Sequence, residues 1–265
     1  MKVCLHIHSE YSHDSKIPVR KIIEYAKSLG YDVIAITDHN TVRGSIEAKK
    51  YGDNKIKIIP GAEFSTQYGH ILAYFIDDSI EKNTPRITKQ QYDFYELVKN
   101  VKHVNGLLIL AHPFNSRLKE KMEILRYLDG IERYNSRIDS FYWRRKSEKL
   151  IRTLLNQENL TYLAGTDAHS LEELKHCFVV TEDFELTTDS FKKALSKKNI
   201  IYYKPNVNFN IARAKFHNTK HISPKFLMIN GVRFLFGIIE NIYNKTTGCR
   251  QYETLCFSKE NQSKI

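Results

Sequence analysis

The stretch HIHSEYSHD, His6 to Asp14, sets three histidines and two carboxylates in nine positions. His6 and His8 stand at i and i+2, so on an extended chain both imidazoles project from the same face. The same residue types return further along, each directly after a short apolar run: His39 in ITDHN, Glu63 in GAEFS, His112 in AHPF, and Asp167 with His169 in GTDAH. Imidazole and carboxylate without thiolate are the donors that suit Zn²⁺, Mn²⁺ or Fe²⁺, whereas an all-oxygen Mg²⁺ site would not need so many histidines.

The elements that must position these groups follow from hydrophobic periodicity. Short apolar runs at VCLHI (3–7), DVIAIT (32–37), KIKIIPG (55–61), HILAYF (70–75), GLLILA (106–111), GIERY (130–134) and LTYLAG (160–165) read as strands. Amphipathic segments at 18–29, 44–51, 87–104, 140–156 and 188–198 read as the intervening helices, the first with Gly30 as its C-terminal stop. Alternation of this kind predicts an α/β barrel or strongly curved sheet. The residues named above end strands, and in parallel α/β barrels the carboxyl ends of the strands form the functional rim. Five strand ends carrying metal-ligand types therefore predict one shared site.

In this order and with these separations, HIHSEYSHD, ITDHN, GAEFS, AHPF and GTDAH resemble the motifs of the PHP (polymerase and histidinol phosphatase) superfamily, over residues 1 to about 185. The resemblance implies a distorted (β/α)7 barrel of seven parallel strands, two or three divalent metal ions, and hydrolysis of phosphate esters. Position by position it implies His6, His8, Asp14, His39, Glu63, His70, His112, Asp167 and His169 as the metal ligands. Many relatives carry the acidic ligand one residue sooner after the second histidine, where this chain has His13. Either the loop holds one extra residue or His13 is the ligand, and Asp14 is favoured because a carboxylate is the usual family choice. His70 begins an apolar run instead of ending one, so it also reads as a histidine facing the edge.

Bound divalent ions lower the pKa of water from about 15.7 towards about 7, so a metal-activated hydroxide is the expected nucleophile. Glu63, with two oxygens, is the natural bridge between ions. Glu63, Asp38 and His8 are the candidates nearest the chemistry, Asp38 as a supporting or acid/base partner of His39. Glu132 in GIERYNSR reads as an orienting or structural group. Arg117 and Arg137 follow strand ends and are candidate clamps for a substrate phosphate. His13, His103, His176, His217 and His221 read as surface residues.

The chain has 265 residues, 42% hydrophobic and 27% charged, ordinary for a globular enzyme. Its N-terminus lacks a secretory apolar run, so a cytoplasmic location is the default expectation. Cys4, Cys177, Cys249 and Cys256 form no C-x-x-C pair, which argues against a disulfide framework or structural zinc site. Residues 1–200 are expected to form the barrel domain and 201–265 a basic, aromatic-rich extension. That extension holds ten Lys/Arg against three Glu, +7 of the total +11. Such a segment is a candidate partner surface for nucleic acid, although a solvated basic face is the simpler expectation. Its apolar stretch 225–244 is interrupted by Asn230, Arg233 and Glu240, and reads as a helix packed on the barrel or on a second subunit in preference to a membrane surface. The expected activity is hydrolysis of a small phosphorylated metabolite or nucleotide. The alternatives are a 5′–3′ exonuclease acting on short RNA or DNA, and a non-catalytic nucleic-acid- or membrane-binding module.

Overall fold

In the computed structural model, residues 1–113, 123–138, 160–197, 199–203, 208–219, 222–247 and 253–257 are described. Arg117 and the expected helix 140–156 lie outside them. Seven strands form the barrel wall: β1 (Lys2–Cys4), β2 (Val33–Ile36), β3 (Lys57–Thr66), β4 (Gly69–Tyr74), β5 (Leu107–Leu110), β6 (Gly130–Asn135) and β7 (Thr161–Gly165). They neighbour one another in chain order. The ring closes where Ile7 bridges Ala168 in parallel, with His8 N donating to Ala168 O at 2.9 Å and Ala168 N to His6 O at 3.3 Å. Closure therefore falls on the segments that carry His6, His8, Asp167 and His169.

One strand departs from the expectation of seven parallel strands. β4 runs antiparallel to both β3 and β5. The reason is local: Gln67 and Tyr68 alone separate β3 from β4, with Gly69 at φ +114°, whereas a parallel return needs a crossover of about a dozen residues or more. An antiparallel strand begins at the rim where its parallel neighbours end, which brings His70 to the same rim as the other histidines.

Around the wall lie α1 (Val19–Ser28), α2 (Arg43–Lys49), α3 (Asp78–Asn83) and α4 (Phe94–His103). α1 ends in a Schellman motif, with Gly30 at φ +69°, Gly30 N on Lys27 O and Tyr31 N on Ala26 O, both at 3.1 Å. The interior is filled by Val3 and Leu5 from β1 and its end, with Val33, Ile59, Leu72 and Ile109 from β2 to β5, and Tyr74 donates its hydroxyl to Leu5 O at 2.8 Å. Phe191, Ala194 and Leu195 of α5 (Thr188–Ser196) join this cluster. Burying these side chains supplies roughly 1.5–3 kcal/mol each, which makes the barrel a stiff support for its polar rim.

Three further strands extend the sheet beyond β1: β8 (Cys177–Val180), β9 (Asn199–Tyr203) and β10 (Glu253–Phe257), all antiparallel to their neighbours. Between β9 and β10 stand α6 (Asn208–Asn218) and α7 (Pro224–Thr247). The rings of Phe216 and Phe226 meet edge-on at 5.3 Å between them. α7 exposes Leu227, Met228, Leu235, Phe236 and Ile239 on its outer side. Among the described residues no helix is long and apolar enough to cross a membrane.

Candidate metal centre

Glu63, wholly buried near the end of β3, is the hub. Its Oε1 meets His70 Nδ1 at 2.9 Å and His112 Nε2 at 3.0 Å. Its Oε2 lies 3.3 Å from His6 Nε2, 3.2 Å from His8 Nε2 and 3.2 Å from His39 Nδ1. Five imidazoles from four segments thus converge on one carboxylate. Asp167 Oδ1 approaches His8 Nε2 at 3.2 Å, and Asp14 Oδ2 approaches His169 Nε2 at 2.8 Å and His39 Nε2 at 3.5 Å.

Their donor atoms fall into three overlapping groups able to hold a metal ion, with the atoms of each within 4.8 Å of one another. The groups are His8, Asp14, His39 and His169; His6, His8 and Asp167; and His39, Glu63 and His70. The donor chemistry fits divalent cations. Glu63 Oε2 and His39 Nδ1 are buried yet make no hydrogen bond, even though imidazole nitrogens crowd around Glu63. Orphaned buried atoms of this kind are rare and costly, and a cation shared among them would satisfy both. His112 stands outside the three groups and reaches the cluster through Glu63.

Electrostatics carry the same message. Burial opposes charge on His6, but Glu132, Glu63 and Asp167 outweigh it and hold the imidazole well above its ordinary range. His8 is likewise raised to about 10, burial being overcome by Asp167 and Glu63. Glu63 and Asp167, buried among histidines that overcome the burial penalty, sit well below the carboxylate range. The carboxylates thus call for positive charge in the place where the nitrogen lone pairs converge. Cys4 contributes none of this chemistry, because burial pushes its thiol up to about 11.

Neighbouring groups fix the ring orientations. His6 Nδ1 faces Glu132 Oε1 at 2.9 Å, so a neutral His6 that donates there keeps its Nε2 lone pair on the cluster. His8 Nδ1 faces Ser12 Oγ at 3.2 Å, and that hydroxyl donates to Asp14 Oδ1 at 2.9 Å and accepts from His39 N at 3.3 Å. His169 Nδ1 donates to Asp167 O at 2.9 Å. Glu132 Oε2 accepts from His112 N at 2.8 Å and from Asn135 Nδ2 at 2.9 Å. His112 and Asp167 take left-handed backbone, φ +24° and +51°, a strain of about 1–3 kcal/mol each that such contacts must hold.

The remaining sequence candidates separate clearly. Asp14, not the exposed His13, enters the donor groups, while His13 only lays its ring 5.0 Å from that of His39. Asp38 is buried with both oxygens on Ser9, at 2.6 Å from its N and 2.7 Å from its Oγ, so it shapes the loop after His8. Arg137 is buried and donates Nη1 to Glu173 Oε1 at 2.8 Å, and Glu173 Oε2 accepts from His169 N at 2.6 Å. His176, expected on the surface, is buried just before β8. Ser12, Asn135 and Glu173 escaped sequence reading, since a serine, an asparagine and a surface-like glutamate have no spacing that marks them as supports.

Fold and site together define an α/β barrel with a histidine–carboxylate cluster at its strand-end rim. The PHP domain family matches residues 5–202, and the chain belongs to it. It is 33% identical over 150 residues to an uncharacterized protein of Methanocaldococcus jannaschii, a match spanning 51% of this chain and 82% of that one. Among solved structures it resembles a two-domain protein of Bacteroides vulgatus containing a predicted PHP-like metal-dependent phosphoesterase, with TM-score 0.54 and 18% identity over 82% of this chain and 69% of that one. It also resembles a lesion-specific endonuclease of Pyrococcus furiosus, with TM-score 0.51 and 20% identity over 73% of this chain and 55% of that one. At these identities the structural likeness speaks for the fold alone.

Proposed function

We propose that the protein is a metal-dependent phosphoesterase whose two or three divalent ions are held by His6, His8, Asp14, His39, Glu63, His70, His112, Asp167 and His169. The observation that carries this reading is the convergence of five buried or half-buried imidazoles on the two oxygens of Glu63, flanked by Asp14 and Asp167. Divalent ions in that setting supply Lewis acidity towards phosphoryl oxygens and a hydroxide nucleophile at neutral pH. The chain's own part is orientation. Glu132 and Ser12 hold the rings of His6 and His8, Asp38 fixes the Ser9 turn directly after His8, and the buried wall beneath keeps bulk water to one side. Purified protein loaded with Mn²⁺ or Zn²⁺ is expected to release phosphate from phosphorylated metabolites or p-nitrophenyl esters. His8→Ala and Asp167→Asn should lower that rate by at least about a thousandfold, and variants that keep wild-type turnover would refute the assignment.

A nuclease is the second reading, favoured by the basic composition of residues 201–265. Labelled RNA and DNA oligonucleotides decide between the two. Shortening at rates above those for small esters selects the nuclease, and intact oligonucleotides beside cleaved small esters select the metabolite.

A further inference from the structure

The helical pair α6–α7 reaches the rim of the site. Asn218 Nδ2, at the end of α6, donates to Asp14 O at 2.9 Å and to His169 O at 3.2 Å, and Lys16 Nζ donates to His217 O at 2.8 Å. α6 is thereby pinned between the two loops that carry Asp14 and His169. One helical turn before Asn218, on the same face, stands Lys215, on a stripe with the buried Ile211 and Ala214. On α7 Phe226, Asn230, Arg233 and Gly237 are covered, at spacings of a single helical stripe, while most of the apolar side chains between them are exposed. Lys215 and Arg233 thus occupy the inward faces of their helices, where apolar residues would be the ordinary choice.

Their surroundings are unusual for a lysine and an arginine. Among the described residues neither side chain makes a hydrogen bond or an ion pair. The charges that act most on Lys215 among the described residues are the guanidinium groups of Arg233 and Arg137, and the carboxylates Asp14 and Asp167 of the candidate metal centre. Asp14 and Asp167 are already engaged by His169, His39 and His8, and Arg137 is matched by Glu173. Two half-buried cations within electrostatic reach of each other and of a third form a cost that an anion would relieve. Burial, reinforced by Arg233 and Arg137, pushes the Lys215 ammonium down to about 8.

We propose that Lys215 and Arg233 form a phosphate-binding wall opposite the metal cluster and engage the substrate's phosphate oxygens, with Arg137 as a buried third cation behind them. This rests on the phosphoesterase reading for the identity of the substrate, but the wall itself is testable without turnover. Lysine supplies a point charge and arginine a planar fork, a pairing that suits a tetrahedral oxyanion.

The test is calorimetric binding of inorganic phosphate to the full-length metal-loaded protein, with metal content measured alongside by mass spectrometry. K215M and R233M are each expected to weaken phosphate binding by about tenfold or more at unchanged metal content, since each removes a charge-assisted hydrogen bond. K215R should stay within about threefold of wild type, and K193M, on the exposed side of α5, should match it. K215Q gives a second neutral variant in case methionine disturbs the helix pair, and a variant is scored only if it melts with the wild-type midpoint. Phosphate affinity within about twofold of wild type in all the neutral variants would overturn the proposal, as would a loss wholly accounted for by lost metal. A protein that binds phosphate through these residues yet cleaves no ester would refute the phosphoesterase reading and leave the wall standing. One that cleaves esters with unaltered kcat/KM in the same variants would do the reverse.

Discussion

At the residue scale, the imidazoles owe their direction to what holds their outer nitrogens. Glu132 does this for His6 while also anchoring His112 N, so one buried carboxylate orients two candidate ligands. Glu132→Gln is therefore expected to weaken metal affinity by about 10- to 100-fold with little change in fold, read by competition against a chelator of known affinity. An unchanged affinity would show that His6 keeps its direction without that partner. Lys215 gives a pH prediction. Its ammonium lies near 8, and it carries charge below that value and loses it above. Phosphate binding should fall as pH rises through about 8 to 9 in the wild type, beyond any change in the metals or in phosphate itself. In K215R, whose guanidinium stays charged, that part of the fall should vanish. The charged groups that act most on Lys215 among the described residues are Arg233, Arg137, Asp14 and Asp167, and none of them has an ordinary transition in that window.

At the element scale, close backbone approach decides where side chains can stand. A Cβ on Gly165, the last residue of β7, would lie 1.8 Å from Glu132 Oε1 and 2.8 Å from His6 Cβ. Gly165→Ala must push Glu132 off His6, so a drop of about 1–3 kcal/mol in stability together with weaker metal binding is expected, measured by denaturant unfolding and metal titration. Gly44 plays the matching part at the start of α2, where a Cβ would meet Asp38 Oδ2 at 1.8 Å and Ser9 Oγ at 2.6 Å. The direction of β4 is the other decision at this scale. Reversal of a single strand turns His70, which starts its strand, into a member of a rim otherwise built from strand ends.

For the whole molecule, the centre gathers side chains from nearly every part of the barrel, so metal binding and folding are linked. An ion at about 100 times its dissociation constant stabilises the native state by about 2.7 kcal/mol, provided the unfolded chain does not bind it. For a chain of this size that amounts to roughly 5–10 °C in melting temperature. Removing metal with a chelator should lower the midpoint by that order, and adding back Mn²⁺ or Zn²⁺ should restore it. In His8→Ala the shift should shrink, because His8 belongs to two of the three donor groups. A chelator-insensitive melt in the wild type would mean that the cluster is held by protons and hydrogen bonds alone.

Much of this architecture was written in local pattern. The apolar runs, the stop at Gly30 and the metal-ligand types after strand ends are properties of short segments, because strand and helix periodicity are local and the rim of an α/β barrel collects whatever follows its strands. Those patterns predict the barrel and name the candidate donors, and of the two neighbours Asp14 and His13 only Asp14 has an atom in a donor group. Other features were settled by contacts between distant residues. Asn218 reaches Asp14 from 204 positions away, and that docking brings Lys215, one helical turn earlier, within electrostatic reach of Asp14 and Asp167. Arg137, read from sequence as a candidate phosphate clamp, is buried against Glu173, while His176 went from surface to interior. The sequence by itself determined which chemical groups were available and on which elements. Only the tertiary structure decided which face one another, since charge pairing, burial and ring orientation depend on distances between segments that no local spacing records.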